Sequence, residues 1–133
     1  MKKMLFFLSL FLTHFAYSAP APKTIDLTKL GANMQYAQVY NMLMEAENFK
    51  GARVKMRGIY YENTDMSQGP EFHCILVSDN MGCCSAGFDI LKAEDSISYP
   101  KNLTNVEATG TFVVKEEDGI LRSYLIVDSL KIL

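Results

Sequence analysis

Basic residues never gather in this sequence. The longest run of Lys or Arg is the pair Lys2-Lys3. A chain without a basic block has little to neutralise phosphates with, which excludes nucleic acid as a partner. Tryptophan is absent, so eight Phe and seven Tyr must supply the bulk of any core. Histidine occurs twice, at His14 and His73, and no Gly-x-Ser-x-Gly elbow is present, which disfavours a hydrolase. Cysteine occurs three times, as Cys74, Cys83 and Cys84, with no Cys-x-x-Cys spacing. An odd count leaves at least one thiol outside any intramolecular disulfide. Apolar residues reach 49% of the 133, too many for a disordered chain and enough for one packed domain.

The one long apolar run is at the start. Lys2-Lys3 forms a short positive region, residues 4–15 are almost unbroken apolar, and Ala16-Tyr17-Ser18 places small residues at the two positions a signal peptidase reads. The run is too short for a stable bilayer span. Residues 1–18 therefore read as a signal peptide cleaved before Ala19. The competing reading is an uncleaved N-terminal anchor. No Cys at the cut offers a lipid attachment, so after cleavage no stable membrane anchor is expected, and the location is periplasmic or secreted. Loss of Lys2 and Lys3 leaves 11 Lys+Arg against 15 Asp+Glu, a mature net charge of −4. In such a compartment thiols are oxidised or metal-bound more often than free.

Residues 19–33 read as an extended leader. Pro20 and Pro22 block helix there, and Ile25, Leu27 and Leu30 are its first core contacts. A helix is predicted over 34–48, capped by Asn33, with Tyr36, Val39, Tyr40, Leu43 and Met44 as its apolar stripe. Gly51 suits its end. The period then changes to two. Five strands are predicted: 52–61, 71–78, 88–91, 105–114 and 121–133. The connector 92–104 shows no helical period. Val54-x-x-x-Gly58 in the first strand is matched by Val106-x-x-x-Gly110 in the fourth, as in a strongly bent sheet. The fold class is mainly β with one N-terminal helix, a small five-stranded OB-like barrel over 34–133. The helix precedes the strands instead of lying between the third and fourth.

The chemistry-bearing residues gather in residues 73–88. Cys83 and Cys84 follow the turn-forming Asp79-Asn80-Met81-Gly82. Three readings compete for them. Thiolates, with imidazole or carboxylate, suit zinc or copper, making Cys83, Cys84, Asp79 and His73 the candidate metal ligands. The pair could instead form a redox-active disulfide, alone or with Cys74. The third reading is structural, a domain that contacts another exported protein. His73 and Asp79 are six residues apart in sequence, about 20 Å on a straight strand, so they share one ion only if the strand ends or bends. Cys74, mid-strand among Phe72, Ile75 and Leu76, reads as a buried, structural thiol. The implied partners are a metal ion or an exported protein.

The stretch Asp79-x-x-x-Cys83-Cys84-x-x-Gly87, following His73-x-Ile75-x-Val77, resembles the signature of an uncharacterised family of small exported bacterial proteins. Members read Tyr-His-x-x-hydrophobic-x-Asp-x-x-x-Cys-Cys-x-x-Gly-hydrophobic-Glu-Phe. Here Phe72 precedes His73, and Asp89-Ile90 stands in place of Glu-Phe. The similarity extends to residues 37–42, 54–58 and 109–112, most of the mature chain. A looser similarity links the Asp…Cys-Cys segment to the C-terminal domain of a membrane permease-complex subunit. The resemblance implies a fold and a site, and no reaction. Cys74 lies outside the motif.

Overall fold

A computed structural model describes residues 21–133. The signal-peptide reading of residues 1–18 lies outside them. The described chain is mainly β, with one α-helix and a six-stranded sheet.

The sixth strand comes from the leader. β1, Thr24–Asp26, pairs in parallel with Arg53–Lys55 of β2 (Arg53–Asn63). A 3-10 turn, Leu27–Lys29, follows, with the Asp26 carboxylate accepting from Thr28 N at 3.0 Å. It drives Leu27 fully into the core, so the leader is part of the fold from Thr24 onward. Leu27 and Ile25 thus meet the core as expected, whereas Leu30 is 38% exposed. Burying a leucine stabilises by about 1.5–3 kcal/mol, enough to hold a short segment down.

Helix α1 runs Ala32–Met44, not 34–48. Gly31 is its cap, and Asn33 lies inside the first turn with its side chain used elsewhere. Glu45 leaves helical geometry at φ −119°, ψ 44°, and the chain continues as a 3-10 turn, Ala46–Phe49. Phe49, the last residue of that turn, is buried in the core. The buried stripe is Val39 and Met42, flanked by Tyr36 and Leu43. Tyr40 and Met44, assigned to the stripe by spacing, are 51% and 67% exposed.

The remaining strands are β3 (Phe72–Ser78), β4 (Ser85–Lys92), β5 (Asn105–Glu117) and β6 (Ile120–Ile132). The order is β1-β2-β3-β4-β6-β5, with a further β2–β5 pairing. β4–β6 is parallel; β2–β3, β3–β4, β5–β6 and β2–β5 are antiparallel. Inward positions of β2 carry Val54, Met56 and Tyr60. Outward positions carry Arg53, paired with Asp128, and Lys55 and Arg57, both paired with Glu107. Asp118 and Gly119, at φ 52° and 76°, turn β5 into β6. Phe88 meets Phe112 edge-on across the core at 5.3 Å between centroids.

The two Val-x-x-x-Gly patterns prove to be partners. Val54 faces Gly110 and Gly58 faces Val106 across β2–β5. Neither glycine has positive φ. Each is required by close approach: a Cβ on Gly58 would lie 2.5 Å from the Leu76 carbonyl oxygen, and one on Gly110 would lie 2.4 Å from that of Ile126.

Candidate metal centre

The β3–β4 hairpin carries the site. Ser78 and Ser85 close the paired region, with their hydroxyls 2.9 Å apart. Between them the chain makes a turn in which Gly82 N donates to Asp79 O at 3.1 Å, with Gly82 at φ 68°. A second bond, Asp79 N to Cys84 O at 3.1 Å, folds the turn back on itself. Residues 79 and 84 are thereby neighbours, which the sequence separation alone does not require.

Asp79 organises the turn through its side chain. Oδ1 accepts from Cys83 N at 3.1 Å, and Oδ2 accepts from the Cys83 thiol at 3.2 Å. The two sulfurs lie 3.8 Å apart. One carboxylate oxygen and both sulfurs lie within 4.8 Å of one another. Both cysteines are exposed and unpaired. The hydrogen bond from Cys83, aided by turn N–H groups, holds the Asp79 carboxyl below its ordinary range. The same bond to Asp79, then contact with Cys84, pushes the Cys83 thiol up to about 11. Without a cation, the proton therefore stays on Cys83 at neutral pH. An ion takes the place of that proton when it binds.

Helix α1 closes one side. Asn33 Oδ1 accepts from Asn80 N at 2.8 Å, fixing the first helical turn to the hairpin turn. One turn further on, Tyr36 comes beside Cys84; its phenol is raised by partial burial first and by Cys84 next. Tyr36 and Asn33 were read from sequence as core packing and as a cap. No local pattern marks them as site residues, because their role depends on how α1 docks on β3 and β4.

His73 is not brought to this centre. It is the second residue of β3, whereas Asp79 follows the last one. Its surroundings are a separate cluster. Tyr60, fully buried, places its hydroxyl 2.6 Å from both Glu62 Oε2 and His73 Nδ1. His73 Nε2 lies 3.2 Å from Glu71, and its ring stacks on Tyr99 at 4.0 Å. Burial, then Glu62, raises the Tyr60 phenol. His73 is thus committed at both nitrogens to neighbours far along the hairpin from the thiols, and the candidate set reduces to Asp79, Cys83 and Cys84.

Cys74 is buried, at 6% exposure, as its position mid-strand predicts. It faces Asp89 across β3–β4, and burial pushes its thiol up to about 11. A protonated, covered thiol is neither a good ligand nor a nucleophile. Among the described residues no helix is long and apolar enough to cross a membrane. No protein-family model matches the chain, and no curated protein matches it.

Proposed function

We propose that this chain is an exported OB-like module whose Asp79, Cys83 and Cys84 bind one thiophilic ion, zinc or copper. One observation carries the reading: three ligand atoms from a six-residue turn converge within 4.8 Å. Two thiolates at about 2.3 Å from a tetrahedral ion stand about 3.8 Å apart. That is the separation present between Cys83 and Cys84, at 3.8 Å. A disulfide would need about 2.05 Å. Three protein donors leave one position of a tetrahedral ion open for water or another ligand.

The redox alternative would need the two exposed thiols, now 3.8 Å apart, to close to a disulfide. The OB-like reading is supported by a pairing path that runs β2, β3, β4, β6, β5 and returns to β2. Closure of this kind leaves few free edges. Export is supported by the composition of residues 1–18. Membership of the exported family rests on its Asp-x-x-x-Cys-Cys-x-x-Gly signature. Two of its positions have a physical reason here: Asp79 binds the turn, and a Cβ on Gly87 would lie 2.2 Å from the Ile75 carbonyl oxygen.

The test is metal content. Protein recovered from its native compartment should hold close to one equivalent, and Cys83→Ser and Cys84→Ser should each lower retention by about tenfold or more with unchanged melting. Wild-type protein that is metal-free in its native compartment and takes up neither zinc nor copper would refute the reading.

A further inference from the structure

We propose that the cleft where the first residues of β3 meet the end of β4 and the start of β6 binds a small organic cation, an ammonium on an apolar body, with the Asp89 carboxylate as its counter-ion. The site stands apart from the Asp79 turn and does not depend on the metal reading. Its volume of about 510 Å³ lies within the roughly 300–1,000 Å³ usual for small-molecule sites. Sheet register builds it. Asp89 faces Cys74 on β3 and Tyr124 on β6, so the three form one row across the sheet. Phe88 and Ile90, on either side of Asp89, are buried in the core, which turns Asp89 outward. Phe72 and Leu91, two residues along from Cys74 and Asp89, and Arg122, two before Tyr124, line the cleft on that same face.

Among the ionisable groups of the cleft, Asp89 alone is left over. Glu71 lies 3.2 Å from His73 Nε2, and Tyr60 holds Nδ1 of the same ring. Arg122 Nε pairs with Glu117 at 3.4 Å. Lys115, the next cation, lies over the Tyr124 ring at 5.8 Å from its centre. Asp89 has no hydrogen-bond or ion-pair partner among the described residues, and Arg122 acts on it only through its field. Its side chain is open to solvent, yet burial pushes its carboxyl up, with Arg122 acting next and in the opposite direction. A carboxylate that is both reachable and crowded lies on the floor of a concavity, where an opposite charge is attracted more strongly than on an open surface. The walls around it are apolar or aromatic. Phe72 is braced by the Tyr61 ring at 5.8 Å, and Leu91 is 37% exposed. An ammonium would satisfy Asp89 while its apolar body covered Phe72 and Leu91. An anion would meet Asp89 and Glu71, with Arg122 already paired. A metal ion is not the occupant, because Asp89 belongs to no group of three ligands.

The test is an NMR titration of isotope-labelled protein recovered after export, with three probes that share one apolar body: phenethylammonium, phenethyl alcohol and phenylacetate. The ammonium should shift the amides of residues 71–73, 89–91 and 122–124 saturably, and bind at least about tenfold more tightly than the alcohol. Phenylacetate should not saturate. Asp89→Asn, which keeps the shape of the side chain, should bring the ammonium down to the affinity of the alcohol. Glu47→Gln, on the 3-10 turn Ala46–Phe49, is the control and should bind as wild type does. Equal binding of ammonium and alcohol, tighter binding of phenylacetate, shifts centred on other residues, or no saturable shift with any probe would each overturn the inference. So would Asp89→Asn holding the ammonium as tightly as wild type. Should Asp89→Asn not fold, the three probes on wild type decide alone.

Discussion

Gly110→Ala adds one methyl group to the tightest junction between β5 and β6. The register slips between Thr109 and Gly110, so Gly110 sits at a bulge with Val54 opposite on β2. A Cβ there would stand 2.4 Å from the Ile126 oxygen, 2.8 Å from the Ile126 carbonyl carbon and 3.0 Å from Val127 Cα. Carbon–oxygen contacts between strands normally lie near 3.3–3.6 Å, so β6 would have to move by about 1 Å. All three atoms are backbone, and Leu125 and Val127 on either side are fully buried, so the strand cannot yield without disturbing the core. Overpacking of this kind costs about 3 kcal/mol at the upper end of its usual range. The stiffer unfolded chain returns about 0.4–1 kcal/mol. The net loss is about 2 kcal/mol, or a fall of about 8 °C in Tm for a domain of this size. Gly58→Ala should behave alike, because its Cβ meets Leu76 backbone at 2.5 Å. Gly31→Ala, with nothing within 4 Å, should stay within about 0.5 kcal/mol. Thermal melts followed by circular dichroism decide it. Gly110→Ala and Gly58→Ala melting with Gly31→Ala would refute the close-approach reasoning.

Other outcomes follow from the same geometry. Cys74→Ser should lower stability by about 1–3 kcal/mol, since it buries a hydroxyl, while metal retention stays intact; in the folded wild type stripped of metal by a chelator, a thiol reagent should label Cys83 and Cys84 well before Cys74. Tyr60→Phe removes the hydroxyl that Glu62 and His73 share and should cost about 1–3 kcal/mol in denaturant titration, with no change at the metal site. The Arg57 hydrogen bond, then Lys55, holds the Glu107 carboxyl below its ordinary 4.5. Its contribution is therefore complete above that value and is lost as pH falls through the lower folded value; Glu107→Gln should flatten this part of the stability–pH curve, and an unchanged curve would remove Glu107 from the account. Mass spectrometry of protein recovered after export should begin at Ala19; intact Met1 in that pool would overturn the cleavage reading.

The strands were legible because alternation is a local property. Val54, Met56 and Tyr60 face in while Arg53, Lys55 and Arg57 face out, so spacing and chemistry agree. Helix facing was less legible. Tyr40 and Met44 match the apolar period yet lie on the flank, because the docking angle of α1 centres the buried stripe on Val39 and Met42. β1 was missed because three residues carry no periodic signal and its pairing to β2 is tertiary. At the site, Asp79, Cys83 and Cys84 were readable from one turn-forming stretch. His73 was grouped with them by residue type, and its partners Tyr60, Glu62, Glu71 and Tyr99 emerge only when β2, β3 and the 93–104 connector come together.

Elemental analysis with a thiol count, on protein taken from its native compartment without added metal, tests the central claim most directly. The account predicts close to one equivalent of copper or zinc. It also predicts that Cys83 and Cys84 resist labelling until a chelator strips the ion, after which both react. Protein free of metal, with both thiols reactive from the start or joined in a disulfide, would contradict it.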